Sequence, residues 1–374
     1  MRWAWAEVDL DAVAYNVRVM REIVAPAKVW AVVKADAYGH GAIPTARAAL
    51  SSGAEGLCVA LVSEGAELRA AGIGVPILLL SQPPNDQFDL AVSHRLTPTL
   101  YTLDGIEALA QAVSRAAGTA YFVHLKIDTG MHRVGADPCD ALVLANAISS
   151  HSQLRLQGVF THLAMADEPL ATSNEAQLER FDRVVADLLA AGHSPTYVHV
   201  ANSAGALALA QSRRDLVRIG IAIYGVQPGV GVRDLCTQLR PALSLRARVS
   251  FVKRVEAGAG VSYGLRHVFA TATTVATVPI GYADGVPRRL FGTGGEVLID
   301  GVRRPIVGVV TMDQLMIDCG DDAVAVGDEV VLLGAQQGTD RNGEIRVEEW
   351  ADRLGTIGYE ILCGISRRIE RTYP

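Results

Sequence analysis

The chain has 374 residues, half of them hydrophobic and a fifth charged, with a formal net charge of −6. This length suggests two globular domains, and mild acidity without a Lys/Arg-rich run argues against nucleic acid or an anionic membrane as the main partner. Five cysteines without paired spacing suit thiols in a reducing compartment, and no signal-like or membrane-spanning apolar run occurs, so we expect a cytoplasmic protein that acts on small molecules.

Short apolar runs alternate with Ala-rich segments of helical period from residue 29 as far as residue 223. Eight of these runs are predicted strands: VWAVVK, GLCVAL, PILLLS, LTPTL, YFVHLKI, LQGVF, YVHV and VRIGIAIYG. Continuous apolar strands need cover on both faces, so the alternation favours a closed parallel (β/α)8 barrel over residues 1–240. An open doubly wound sheet is the alternative, but no GxGxxG follows the first strand.

From about residue 241 the pattern changes to period-two runs such as LSLRARVSFVKRV and TTVATVPIG. The DG in VLIDGVRRPIV and the GD in AVAVGDEVVLL are typical of strand connections. One helix-like segment, RVEEWADRLG, precedes a last strand-like run. We therefore predict a second, mainly β-strand domain over residues 241–374.

Polar residues cluster at the predicted C-terminal ends of the barrel strands, where a barrel of this type gathers its chemistry in a common mouth. These residues are Lys34, Lys126, Arg133, His162, Asn202, Ser203 and Arg218. Their shared position at one end of the predicted barrel indicates a functional site.

Each of these residues also has an ordinary structural explanation. Lys34 could be a solvated charge at the edge of the core, although the tight polar turn after it favours a lysine that acts as an amine nucleophile. His162 fits a core histidine as well as an aromatic neighbour of a ligand ring. Arg218 lies in an apolar run and needs an acceptor, either a ligand ring nitrogen or an acidic residue.

Loops after the seventh and eighth strands often bind phosphate in such barrels. Ser203 is placed to cap the following helix, while its hydroxyl and the amides of Gly220 and Ile221 would face a phosphate. A plain Ser N-cap and a strand-ending Gly explain the same residues without a ligand.

A metal site is not favoured, because the sequence has no HExxH or CxxC pattern and its histidines lack ligand spacing.

Nine motifs together resemble the alanine racemase family, pyridoxal-phosphate enzymes with an N-terminal barrel and a C-terminal β domain. In chain order they are AVVKADAYGHG, KIDTGMHRVG, THLAMAD, ANSAGAL, RIGIAIYG, VSYG, PIGYADG, TMDQLMID and IGYE. The resemblance covers nearly the whole chain. It implies the interconversion of L-alanine and D-alanine, with D-alanine supplied for peptidoglycan.

The resemblance also implies roles for single residues. Lys34 matches the lysine that binds the cofactor as a Schiff base and then serves as one catalytic base. Tyr263 matches the second base, which acts from the partner subunit, so the active form is expected to be a homodimer. Arg218 matches the arginine that meets the pyridine nitrogen, which disfavours a protonated ring and suppresses side reactions.

Other positions match groups that hold the cofactor and the substrate. His162 matches the residue beside the cofactor ring, and the remaining cofactor-binding positions are Tyr38, Asn202, Ser203, Gly220, Ile221 and Tyr359. Arg133 and the Met312 amide match the groups that hold the substrate carboxylate. Lys126 matches a position that is often carbamylated, where the new carboxylate pairs with the arginine.

The passage to the site matches the family at Asp167, Tyr282, Arg288, Ile357 and Tyr359, and Tyr282 is also expected to contact the substrate. One position departs, because the family commonly has arginine where this chain has Val309, which removes a charge from the expected passage. A racemase of serine, lysine or ornithine is therefore an alternative. Tyr263 and the C-terminal domain argue against a non-catalytic cofactor-binding protein, and Arg218 argues against a decarboxylase.

Overall fold

The computed structural model describes residues 2–116 and 120–374. These residues form two compact units. The barrel unit comprises residues 13–37 and 41–240, and the β unit comprises residues 2–12, 38–40 and 241–374. The sequence pattern assigns residues 1–240 to one domain, but residues 2–12 and 38–40 pack with the β unit.

The secondary structure follows the alternation seen in the sequence. The strands are β1 (Ala4–Val8), β2 (Lys28–Val32), β3 (Gly56–Val59), β4 (Ile77–Leu79), β5 (Thr99–Leu100), β6 (Tyr121–Lys126), β7 (Leu154–Phe160), β8 (Tyr197–His199), β9 (Leu216–Ile219), β10 (Leu243–Arg248), β11 (Phe251–Val255), β12 (Gly260–Val261), β13 (His267–Val268), β14 (Thr273–Val278), β15 (Glu296–Ile299), β16 (Val302–Val307), β17 (Leu315–Asp318), β18 (Glu329–Gln337), β19 (Asn342–Ile345) and β20 (Glu370–Thr372). The right-handed helices are Leu10–Val24, Ala42–Ser51, Val62–Ala70, Phe88–Ser93, Leu103–Arg115, Ala141–Ser150, Thr172–Ala190, Ser203–Ala208, Val347–Leu354 and Gly358–Gly364. The segment Lys34–Tyr38 is a helical turn of the opposite, left hand.

Strands β2 to β9 close into the barrel. They form two parallel sheets, in the orders β4-β3-β2-β9 and β5-β6-β7-β8. One seam between the sheets is bridged at Leu78 and Thr97, and at the other the backbone N–H of Arg218 donates to the carbonyl of Ala201 at 3.0 Å. These are the eight strands predicted from the apolar runs, so the (β/α)8 barrel is confirmed.

Apolar residues at helical spacing explain how the helices cover this barrel. In Leu103–Arg115, Ile106, Leu109 and Val113 are buried in the core shared by β6 and β7. The Thr102 hydroxyl accepts the N–H of Gly105 at 3.0 Å and so caps the start of the helix. Strands covered in this way form a rigid frame, from which loops project the functional side chains.

The β unit is organised around one mixed sheet. Its strand order is β11-β14-β17-β16-β15-β18-β10-β1-β20, and β19 pairs with β18. Strand β1 runs antiparallel to β10 and parallel to β20, which explains why the first residues belong to this unit. The prediction of a mainly β-strand second domain is confirmed. None of the described helices combines the length and the apolar character needed to cross a lipid bilayer.

Candidate active site

Lys34 lies at the C-terminal end of β2, where it begins the left-handed turn Lys34–Tyr38. Four consecutive residues have φ between 52° and 54°: Ala35, Asp36, Ala37 and Tyr38. This conformation costs a residue with a side chain about 1–2 kcal/mol, so surrounding bonds must hold the turn. The Asp36 carboxylate accepts the N–H of Ala42 at 2.7 Å. Backbone strain of this kind is typical of functional sites.

Arg218 on β9 is buried and lies among uncharged acceptors. Its guanidinium donates to Nδ1 of His199 at 2.7 Å, to the carbonyls of Thr161 and Val200 at 2.9 Å each, and to Nδ1 of His162 at 3.2 Å. The sequence left a ligand ring nitrogen or an acidic residue as the partner, and the protein partners found here are histidines and carbonyls. Burial lowers the pKa of Arg218 to about 10.

The contact with Arg218 fixes the protonation of two further histidines. Arginine can only donate, so Nδ1 of His199 must accept, and its proton lies on Nε2. That nitrogen contacts Nδ1 of His124 at 2.9 Å, which must accept in turn. Burial, with the charge of Arg218, lowers the pKa of His199 well below its usual value, and burial lowers the pKa of His124 to about 3. Both rings are therefore neutral at physiological pH.

Lys126 at the end of β6 shares the mouth with three other cations. Its ammonium donates to the carbonyl of Leu80 at 3.1 Å. Burial lowers the pKa of Lys126 to about 7, and the charges of Arg218, Arg133 and Lys34 add to this effect. A large fraction of Lys126 is consequently a neutral amine near pH 7, which is the form that reacts with carbon dioxide.

Arg133 lies on the exposed loop that follows β6. The Asp128 carboxylate holds this loop by accepting the N–H groups of Gly130, Met131 and His132 at 3.0–3.1 Å. Burial raises the pKa of Asp128, but these hydrogen bonds outweigh it, and the net pKa is below its ordinary value. Asp128 therefore stays ionised and keeps the loop at the mouth.

Ser203 and Gly220 come together at the mouth, as the phosphate hypothesis requires, but the helix cap differs from the prediction. The Ser203 hydroxyl accepts the N–H of Gly220 at 3.0 Å, and the Asn202 side chain accepts the N–H of Gly205 at 2.9 Å. Asn202, not Ser203, is thus the N-cap. Because the Ser203 hydroxyl accepts here, its own hydrogen can be donated to an anion. Ile221 follows Gly220 directly and is buried.

Three predicted site residues of the β unit lie on adjacent loops, namely Tyr263, Tyr282 and Met312. The hydroxyl of Ser262, which is next to Tyr263, donates to the carbonyl of Val309 at 2.6 Å. The N–H of Tyr282 donates to the backbone carbonyl of Thr311 at 2.9 Å. Gly281 allows this approach, since a Cβ there would lie 2.5 Å or less from the carbonyl oxygens of Thr311 and Met312. Tyr263 is 73 % exposed and Met312 is 53 % exposed.

The remaining predicted residues are more dispersed. Within the β unit, the rings of Tyr38 and Tyr359 are 5.9 Å apart. Arg288 lines a cavity of about 570 Å³, and Ile357 is exposed. Asp167 lies half-buried in the barrel unit. Val309 is buried, so the departure from the family changes an interior position of the β unit rather than an exposed one.

The barrel therefore gathers Lys34, Lys126, Arg133, His162 and Arg218 within mutual electrostatic range. Sequence reasoning missed His124 and His199, which sit inside predicted strands. A signal was present, because His124 precedes Lys126 by two residues and so shares its face of the strand.

The fold and these groups define a (β/α)8-barrel enzyme with a basic mouth and an accompanying β domain. Residues 8–228 match the model of the alanine racemase N-terminal domain, and residues 242–373 match that of the C-terminal domain. The chain belongs to the alanine racemase family, whose members are pyridoxal-phosphate-dependent isomerases. The family, reaction and cofactor predicted from the motifs are confirmed.

Individual relatives are similar to this chain over nearly their whole length. The chain is 46% identical to an alanine racemase of Symbiobacterium thermophilum, and the match covers 100% of this chain and 97% of the relative. It is similar to the crystal structure of alanine racemase from E. faecalis, with a TM-score of 0.93, 39% identity and coverage of 100% and 98%. It is also similar to a histidine racemase from Leuconostoc mesenteroides, with a TM-score of 0.91, 30% identity and the same coverage.

Proposed function

We propose that this chain interconverts L-alanine and D-alanine by a two-base mechanism, with Lys34 and Tyr263 as the bases. The observation that carries the proposal is the environment of Arg218, which is buried and donates hydrogen bonds to two neutral histidines and two backbone carbonyls. A fixed guanidinium can donate to an aromatic nitrogen but cannot protonate it readily. Such a site favours proton exchange at the α-carbon over transamination.

The side chains of the barrel mouth suit pyridoxal phosphate. Lys34 would hold the aldehyde, Arg218 the ring nitrogen, and His162 and Asn202 would lie beside the ring. Ser203 and the amides of Gly220 and Ile221 would hold the phosphate, together with Tyr38 and Tyr359. When bound, the cofactor stabilises the negative charge left when the α-proton is removed.

Lys34 and Tyr263 would then move protons on opposite faces of the α-carbon. Lys34 shares the mouth with Lys126, Arg133 and Arg218. Arg133 and the Met312 amide would hold the substrate carboxylate. A carbamate on Lys126 would supply a negative charge to Arg133.

We propose that Tyr263 and Met312 act on the site of a second copy of the chain, so that the enzyme is a homodimer. Support comes from exposed apolar side chains near Tyr263 in the β unit, namely Leu265, Val268 and Met312. Exposed apolar patches commonly mark association surfaces. The access passage would include Asp167, Tyr282, Arg288, Ile357 and Tyr359.

We also propose that the enzyme works in the cytoplasm and supplies D-alanine for peptidoglycan. The unpaired spacing of the cysteines supports a reducing compartment. A cell that lacks this gene and any second racemase should need added D-alanine to grow. Unimpaired growth without it would assign the enzyme to another role.

The direct test is an absorbance spectrum with and without borohydride, followed by chiral analysis of alanine incubated with the protein. We expect reduction to fix the cofactor onto Lys34, as read by peptide mass, and L-alanine to give a racemic mixture. A label on a different lysine would contradict the assignment of Lys34, and bound cofactor without D-alanine would contradict the choice of substrate.

A second substrate is the alternative that a specific observation favours. The similar histidine racemase has the same fold, and Val309 departs from the family pattern. Comparison of kcat/KM for alanine, serine, lysine, ornithine and histidine decides between these substrates. Our proposal expects alanine to have the highest value.

A further inference from the structure

The residues before and after Lys34 are both tied, through their backbone N–H groups, to the chain that follows in the barrel. The N–H of Val33 donates to the carbonyl of Cys58 on β3 at 2.9 Å. The N–H of Ala35 donates to Oε1 of Glu64 at 2.7 Å. Lys34 is thus held from both sides, once by a strand carbonyl and once by a side-chain carboxylate.

The second oxygen of the same carboxylate has a separate task. Oε2 of Glu64 accepts the N–H groups of Ala60 and Leu61 at 2.8 and 3.1 Å. Leu61 precedes the helix Val62–Ala70 and offers no side-chain oxygen, so Glu64 organises the start of this helix. One carboxylate therefore links the helix after β3 to the turn after β2.

The turn needs such a link. Residues 35–38 all occupy the left-handed region although none of them is glycine, so the turn has no intrinsic preference for its conformation. Ala35 is the first residue of this series, and its N–H is the one that Glu64 holds. Loss of that bond would let the turn relax next to the residue that carries the proposed chemistry.

We propose that Glu64 is a positioning residue for Lys34, because it holds the peptide that fixes the direction of the lysine side chain. This inference rests on the proposed role of Lys34. Misplacement of a reacting group by about 1 Å can lower a rate by about 100-fold. The effect should fall on kcat rather than on KM, since Glu64 does not belong to the groups proposed to hold the substrate.

The test must separate this positioning from simple stabilisation of the helix. Glu64→Ala removes both tasks of the carboxylate. Leu61→Ser combined with Glu64→Ala returns a hydroxyl cap to the helix but leaves Ala35 without its acceptor. Glu67→Ala is the matched control, because Glu67 is an exposed glutamate on the same helix.

Hydrogen exchange of the Ala35 amide, measured without cofactor, reads the bond itself, and kcat, KM and Tm of the loaded enzyme read its effect. We expect faster exchange and a kcat lower by about 10- to 100-fold in both Glu64 variants, with Tm regained only in the double variant. Glu67→Ala should match the wild type in every measurement. If the double variant regains kcat together with Tm, or if the exchange is unchanged, the positioning role is overturned. Failure of wild-type Lys34 to bind the cofactor is a separate outcome that overturns the proposed function, and the exchange measurement distinguishes the two.

Discussion

The mouth of the barrel and the loops of the β unit that carry Tyr263 and Met312 are built in opposite ways. Arg218, Lys126 and Ser203 are buried and bonded to their surroundings, whereas Tyr263 and Met312 are largely exposed. A buried polar group cannot change without leaving partners unsatisfied, but an exposed one can. Substitutions in the barrel mouth should therefore alter stability as well as activity, and those on the exposed loops should alter activity alone.

Tyr263→Phe should give the largest effect on activity, and it should alter activity without altering stability. A positioned acid or base contributes about 10²- to 10⁴-fold, so kcat for alanine should fall by about that factor. Tm and the cofactor spectrum should stay unchanged, because the hydroxyl belongs to a side chain that is exposed in the single chain. Chiral chromatography and thermal melting measure the two quantities. Turnover equal to that of the wild type would remove Tyr263 from its proposed role.

A mixture of Tyr263→Phe with Lys34→Ala tests whether Tyr263 acts on the partner's site. If Lys34 and Tyr263 are the two bases, neither variant alone has a complete site. After random exchange of subunits, half of the dimers are mixed and each holds one intact site, so roughly a quarter of the wild-type activity should return. Sites that draw both bases from one chain would stay inactive in the mixture.

Arg218→Lys tests the prediction that a substitution in the buried barrel mouth lowers stability as well as activity. A lysine replaces the planar fork with one nitrogen, whose three N–H groups leave at least one of the four acceptors unpaired, at about 1–3 kcal/mol. The free energy of unfolding in urea should fall by about 1–3 kcal/mol, together with activity. Arg214→Lys is the control, since Arg214 pairs with Asp182 at the surface and should change stability by less than about 1 kcal/mol. Equal effects of the two substitutions would contradict the contrast between the regions.

The sequence predicted the elements that depend on local pattern. Apolar runs located β2 to β9, and the strand ends located Lys34, Lys126 and Arg218. The need of Arg218 for acceptors followed from its apolar surroundings, although the sequence could not tell which groups supply them. Those groups lie 18 to 57 residues earlier in the chain, and no local pattern records that pairing.

Other features had no local signal. The left-handed turn contains only Ala, Asp and Tyr at its positive-φ positions, where glycine would have announced it. Likewise β1 joins the β unit through pairing with β10, some 240 residues later in the chain, and Asn202 instead of Ser203 caps its helix because the Ser203 hydroxyl is bonded elsewhere. In each case a tertiary contact selected one of several arrangements that the sequence allows.

Lys126→Met should give the smallest effect. It should raise the free energy of unfolding, whereas Arg218→Lys should lower it. Above pH 10.5 the amine is neutral in both the folded and the unfolded chain, so its protonation does not affect the free energy of unfolding. As the pH falls toward about 7, the unfolded chain binds the proton and the folded chain does not, so the free energy of unfolding decreases. Methionine of similar length removes this penalty.

In buffer free of carbon dioxide, the variant should therefore be more stable than the wild type near pH 7 by at least about 1 kcal/mol, the equivalent of one pKa unit. The difference should shrink as the pH rises toward 10.5, and urea unfolding at several pH values measures it. Bicarbonate should stabilise the wild type and not the variant, because a carbamate would place a carboxylate among the cations of the mouth. A variant that is less stable than the wild type without carbon dioxide would mean that the amine of Lys126 is well solvated or paired. Burial of this amine would then not destabilise the folded chain, which would contradict the contrast between the barrel mouth and the exposed loops.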